Sequence, residues 1–248
     1  MLSAFVLLLG LCMGSFLNVC IYRLPRHQSI IAPASCCPAC NTPLKPYELI
    51  PVVSYWLQGG QCRYCKQAIS LRYIVVELLT GVLFLWCFHA AHSDCEFLQF
   101  FIFISFLTVI AFIDYDCQLI LDKVLIWFAA AGIAINLYTG NRHLLDMAVA
   151  GIAGGGLLLA IAILTRGGMG GGDIKFVTAL GLWLGLKYTV LTLFLSFVIG
   201  GAGGLILLLA KVKGRKEFIP FGPFIAIGAF ISALYGDGIL QWYLQNFR

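Results

Sequence analysis

Eight apolar stretches, most of them close to the length of a bilayer crossing, constrain this chain more than any other feature. They lie at about 2–21, 73–92, 97–113, 124–139, 146–164, 174–187, 189–210 and 221–243. A helix needs about 20 apolar residues to cross the hydrocarbon core, and backbone polar groups in lipid are satisfied within the segment only by a helix or a closed barrel. The pattern predicts an all-α polytopic membrane protein of about eight transmembrane helices, the sixth unusually short. Composition agrees, with 61% hydrophobic and only 11% charged residues, against about a quarter charged in soluble domains. The first stretch has no basic n-region and no small-residue cleavage site, so residues 1–20 are expected to remain as a helix.

The cations set the orientation. With the N-terminus outside, thirteen of the sixteen Lys and Arg residues fall on the cytoplasmic side, and only Arg142, Lys187 and Arg248 fall outside, as the positive-inside rule prefers. The stretch KVKGRK at 211–216 reads as such a flank, one that could also meet anionic lipid. The net charge of +5 is then mainly a topology signal and gives no reason to expect nucleic acid as a partner.

One segment outside the apolar runs is substantial, roughly 23–72, and it carries Pro25, Pro33, Pro38, Pro43, Pro46 and Pro51. Proline at that density argues against a long helix, so something else must order the loop. Two C-x-x-C knuckles, Cys37–Cys40 and Cys62–Cys65, stand 21 residues apart. A tight turn points both sulfurs of each knuckle at one ion, and two turns complete a tetrahedron, which suggests zinc. Redox pairs or four unconnected thiols are the alternatives, but a reducing cytoplasmic loop argues against structural disulfides. Cys36 could compete as a ligand, although the spacing of the second pair favours Cys37.

Two places bring carboxylates to helix ends. Asp114, Asp116 and Asp122 cluster where the third run stops, in AFIDYDCQLILD, and Asp173 closes the glycine-dense turn TRGGMGGGDIK before the sixth run. Two carboxylates from different helices at one depth suit aspartic proteolysis, in which one is ionised and the other protonated. Solvated or capping aspartates are the ordinary alternative, and a proton-coupled transporter is another, although its acids belong near the bilayer midplane. No serine or cysteine nucleophile has a plausible histidine partner.

The ordered set GSFLNVCIYRLP (14–25), CPAC…CRYC, ISLRYIVVELLTG (69–81), FIDYDCQLILD (112–122), GMGGGDIK (168–175) and IPFGPFIAIGAF (219–230) resembles the bacterial type IV prepilin peptidase family over most of the chain. The resemblance implies a membrane aspartyl protease of the G-x-G-D type in the bacterial inner membrane, with a periplasmic N-terminus and an active site at the cytoplasmic face. Its partners would be precursors of type IV pilins or type II secretion pseudopilins, cut after the basic leader, and membrane lipid. It also implies methylation of the new N-terminal amine from S-adenosylmethionine.

Carried over to this sequence, the resemblance makes Asp173 one catalytic acid, with Gly170, Gly172 and Lys175 supporting its loop. The family pattern D-x-D-x-x-x-L-P-D falls on 114–122 and makes Asp114 the other. One departure is visible: Leu121 stands where the family usually has proline, which bears on the local turn. Asp116 lies about 200° around a helix from Asp114, so both cannot address one atom. Cys37, Cys40, Cys62 and Cys65 would hold zinc. No strand followed by G-x-G-x-x-G offers a Rossmann site for the methyl donor, leaving Asn18, Arg23, Arg72 and Glu77 as candidate contacts. The expected domains are a first helix at 1–22, the zinc loop at 23–72 and a seven-helix membrane domain at 73–248. A presenilin-like protease without methyltransferase activity and a zinc-stabilised transporter are the competing readings.

Overall fold

A computed structural model describes residues 1–140, 142–210 and 219–246. The stretch KVKGRK at 211–216 and Arg248 lie outside the described residues. The helices are α1 (Leu2–Arg23), α2 (Val53–Leu57), α3 (Arg72–Ala90), α4 (Asp94–Cys117), α5 (Asp122–Thr139), α6 (Leu144–Leu164), α7 (Gly171–Leu209) and α8 (Gly222–Asn246). No β-strand occurs among the described residues, which contain only the isolated bridges Cys36–Pro43 and Gln61–Ala68.

Six of these helices, namely α1, α3, α4, α6, α7 and α8, are long and apolar enough to cross a membrane. The 18-residue α5 opens on Asp122 and Lys123 and is not among them. The expectation of about eight crossings is therefore approximate. The eight apolar runs fall on seven long helices because the sixth and seventh runs share α7. That helix is broken at Gly185 (φ 69, ψ 176) into 171–184 and 186–209, a conformation glycine alone tolerates easily. The groups the break releases are satisfied from neighbouring helices. Asn136 Nδ2 donates to the Leu182 and Trp183 carbonyls at 3.0 and 3.1 Å, and the Leu186 N–H donates to Asp146 Oδ1 at 3.2 Å.

The chain divides into two compact units, Met1–Val109 and Ile110–Arg248. In the first, α1 packs antiparallel on α3 through small residues. A Cβ on Gly10 would stand 2.7 Å from Gly81 Cα, and one on Gly14 2.7 Å from Glu77 Cα. Without a hydrophobic drive between helices in lipid, such close approach is what holds them. The prolines have the expected effect on 23–72, where the only helical elements are two 3₁₀ turns and the five-residue α2.

In the second unit α6 and α7 pack closely, with Gly181 seated on the backbone of Ala150 and Gly151. Trp183 is buried, stacks on Phe128 at 5.2 Å and donates its Nε1–H to the Phe128 carbonyl at 2.6 Å. The first half of α7 is thereby fixed against α5 and α6, and its N-terminal turn carries Asp173.

Candidate active site and cysteine cluster

Asp173 occupies the first turn of α7, three residues after the capping Gly170, whose carbonyl accepts the Asp173 N–H at 3.1 Å. The Gly170 N–H in turn donates to the Asp173 carboxylate. A Cβ on Gly170 would lie 2.9 Å from Asp173 Oδ2, and one on Gly172 would lie 3.0 Å from Ile120 Cβ. The first glycine leaves room for the acid, and the second lets the 118–121 loop approach the helix.

Asp114 comes from the last turn of α4 and is held from another direction. Its Oδ2 accepts the Gly222 N–H at 2.9 Å, where α8 begins. A helix start carries partial positive charge and unsatisfied N–H groups. Asp173 meets that field in its own helix and Asp114 in α8. Both acids are almost fully buried, at 6% and 5% exposure, and their charges lie close enough to repel.

The two carboxylates line one cleft of about 500 Å³ together with Gln118, Ile120, Lys175 and Phe221. Asp116 is exposed and does not line it. Lys175 Nζ reaches Asp122 Oδ1 and Oδ2 at 2.8 and 2.9 Å, which ties the glycine loop to the start of α5. Leu121, in the place of proline, has φ −78, within the range a proline ring would impose. The turn is thus kept without it. Gly222 and Phe221 escaped the sequence-based site. Their signal was the Gly222-Pro223 pair opening the last apolar run: proline suits the start of a helix and contributes no N–H, so the Gly222 N–H is the donor offered there.

In the first unit the four knuckle cysteines converge. The Sγ atoms of Cys37, Cys40, Cys62 and Cys65 all lie within 4.8 Å of one another. The knuckles are built alike. Asn41 N–H donates to the Cys37 carbonyl and Lys66 N–H to that of Cys62. Cys37 N–H donates to Thr42, and Cys62 N–H to Gln67. Asn41 and Lys66, each following the second cysteine, both have positive φ, 55° and 61°. Cys36 is exposed and outside the cluster.

Cys40 is held at about 6 by the Thr42 hydroxyl, 3.2 Å from its sulfur. Backbone N–H groups of Cys65 and Tyr64 lower Cys62. The Gln67 N–H favours the Cys65 thiolate, but desolvation and the neighbouring thiols outweigh it and push Cys65 up to about 11. Four thiolates at this distance repel unless a cation sits among them. A bond of about 2.3 Å to a tetrahedral ion implies sulfurs about 3.8 Å apart, and Cys37 Sγ and Cys65 Sγ stand at 3.8 Å. The residues present therefore fit a metal ion.

The remaining candidates also fall in the first unit. Arg23 donates to the carbonyls of Ser29 and Pro33 at 3.0 and 2.8 Å. Glu77, buried, accepts the Val52 N–H at 2.8 Å and the Ser15 hydroxyl. Arg72 lies over the Tyr73 ring at 5.6 Å. Asn18 donates to the Tyr73 carbonyl at 3.0 Å, while its Oδ1 is buried without a partner.

Residues 8–91 match the Bacterial Peptidase A24 N-terminal domain, and residues 101–205 match the Type IV leader peptidase family. The chain belongs to the type IV leader peptidase family. It is 39% identical to the Prepilin leader peptidase/N-methyltransferase of Bacillus subtilis over 241 residues, covering 95% of each chain. The proteins of that name from Aeromonas hydrophila and Pseudomonas aeruginosa are 36% and 35% identical, over 98% of this chain and 93% and 94% of theirs. No solved structure matches the chain. The family membership and the six apolar helices make this a multi-pass membrane protein.

Proposed function

We propose that this protein removes the basic leader from type IV prepilins or type II secretion pseudopilins and then N-methylates the exposed terminus. The observation that carries the proteolytic half is the pairing of two buried carboxylates, Asp114 and Asp173, in one cleft at helix N-termini. Like charges this close favour a shared proton. The ionised acid takes a proton from water as its oxygen attacks the scissile carbonyl. The protonated acid polarises that carbonyl and then supplies the proton taken up by the leaving amine. Gly170 and Gly172 keep the acids and the 118–121 loop at the distance this needs, and Lys175 braces the loop through Asp122. The name of the relatives couples the two activities, which favours this reading over a protease alone or a transporter.

The topology that suits this substrate is an N-terminus on the periplasmic side of the bacterial inner membrane and the acids at the cytoplasmic face. A leader rich in positive charge stays on that side, and the apolar helix that follows it places the scissile bond at the boundary. Residues 23–72 form the metal-binding domain, with Cys37, Cys40, Cys62 and Cys65 holding zinc, which neutralises their thiolates and staples two otherwise weak hairpins. The methyl donor is S-adenosylmethionine, which supplies an electrophilic methyl group when bound. Within the first unit Asn18 offers the buried, unpartnered acceptor suited to it, whereas Arg23 and Glu77 use polar groups to fasten the loop.

The test is incubation of purified protein with a prepilin, with and without S-adenosylmethionine, read by mass spectrometry. Leader loss in both samples, with one added methyl group only when the donor is present, is the expected result. Intact prepilin would overturn the assignment.

A further inference from the structure

The loop between α1 and α3 carries an apolar surface that neither proposed activity uses. Leu49, Ile50, Val53, Trp56 and Leu57 are all exposed within nine residues, Trp56 at 74% and Leu57 at 78%. None belongs to a helix long enough to cross a membrane. A cluster of this kind on a loop marks an interaction surface.

Its depth identifies what covers it. The Val52 N–H donates to Glu77 Oε2 at 2.8 Å, and Glu77 lies five residues inside α3, which begins at Arg72. At 1.5 Å per residue that is roughly 7.5 Å along the helix. The same carboxylate meets Ser15, eight residues before α1 ends at Arg23, or roughly 12 Å along that helix. The segment is therefore drawn down beside the terminal turns of two membrane-crossing helices, to the level where headgroups meet acyl chains. At that level α3 itself turns Val75 and Leu78 outward, at 51% and 45% exposure. Cations flank the segment: Lys45 and Arg63 both lie over the half-exposed Tyr47 ring, at 5.9 and 5.5 Å.

We propose that residues 49–57 form an interfacial membrane anchor. Val53, Trp56 and Leu57 enter the acyl boundary of the leaflet at which α1 ends and α3 begins, and Lys45 and Arg63 face anionic phospholipid headgroups. Tryptophan suits this layer because its ring is apolar and its N–H is polar, and a short apolar face backed by cations is what binds a membrane in plane. Gly59 and Gly60 join the anchor to the second knuckle at Cys62, so the anchor also holds the cysteine cluster against the membrane surface.

The experiment places the full chain in vesicles of phosphatidylethanolamine and phosphatidylglycerol, with and without lipid brominated near the carbonyl end. Subtracting the fluorescence of a Trp56→Phe variant isolates Trp56 among the five tryptophans. The variant's unchanged metal content shows that the loop is intact, and Trp56→Tyr replaces it if the first variant does not fold. The expected result is several-fold stronger quenching of the Trp56 signal by brominated lipid than by aqueous iodide. Quenching by iodide with no response to brominated lipid would overturn the proposal. So would relief of lipid quenching on adding a prepilin, which would assign this face to the substrate's apolar helix.

Discussion

The cysteine loop and the carboxylate cleft gather their groups by opposite routes. Each knuckle is shaped by hydrogen bonds spanning four or five residues, such as Asn41 N–H to the Cys37 carbonyl and Cys62 N–H to the Gln67 carbonyl. The two knuckles repeat one hairpin down to the positive φ after the second cysteine. The cleft depends on distant partners: Gly222 reaches Asp114 across 108 positions and Lys175 reaches Asp122 across 53. A site written twice in local sequence needs tertiary structure only to bring its halves together. A site made of single residues on separate helices depends on the packing of those helices for its whole geometry. Damage to the first should therefore be chemical and metal-linked, whereas damage to the second should be geometric.

The largest effect tests the cleft. Asp114→Asn and Asp173→Asn should each lower prepilin cleavage by about 10³-fold or more, since the proposed mechanism gives each acid a distinct proton task, with thermal unfolding in detergent unchanged. Asp116→Asn should stay within a few-fold of the parent. A dead Asp116→Asn beside an active Asp114→Asn would assign the first acid wrongly.

Next comes the loop. Replacing Cys37, Cys40, Cys62 or Cys65 by serine should release about one zinc per chain and expose 23–72 to protease, while Cys36→Ser should retain the metal. Acidification should release it too, because each departing thiolate takes up a proton. Elemental analysis that finds no zinc in a reduced, chelator-free preparation would remove the metal half of the comparison. These variants should also methylate poorly where cleavage survives, and Asp173→Asn should still methylate a pre-cleaved pilin peptide. Loss of that methylation with folding intact would mean that the two activities share one site.

A smaller effect probes packing alone. Gly222→Ala would bring a methyl group to 2.5 Å from Asp114 Oδ2. Cleavage should fall by about 10–100-fold through a shift of roughly an ångström in one acid, with zinc content unaffected. The smallest concerns Lys175→Met. The Lys175–Asp122 pair is more than half exposed, at 59% and 62%. An exposed pair contributes about 0–1 kcal/mol, so Tm should change little and cleavage only a few-fold. A collapse of activity would give Lys175 a direct part in the cleft.

Much of this protein was legible in its sequence because the constraints that fix it are local. Lipid makes an apolar run a helix whatever its neighbours do, so the runs, the all-α class and a proline loop without a long helix follow from residue order. C-x-x-C spacing likewise carries its own turn, and the four cysteines meet as their spacing implied. Only packing could decide the rest. The sixth and seventh runs share one broken helix because Asn136 and Asp146, on other helices, satisfy the groups that Gly185 releases. The N–H that holds Asp114 comes from Gly222, and Glu77 is spent on the Val52 backbone. These are bonds between backbone groups and distant side chains. Backbone groups are the same at every position, so residue order does not single out which of them a folded neighbour will reach.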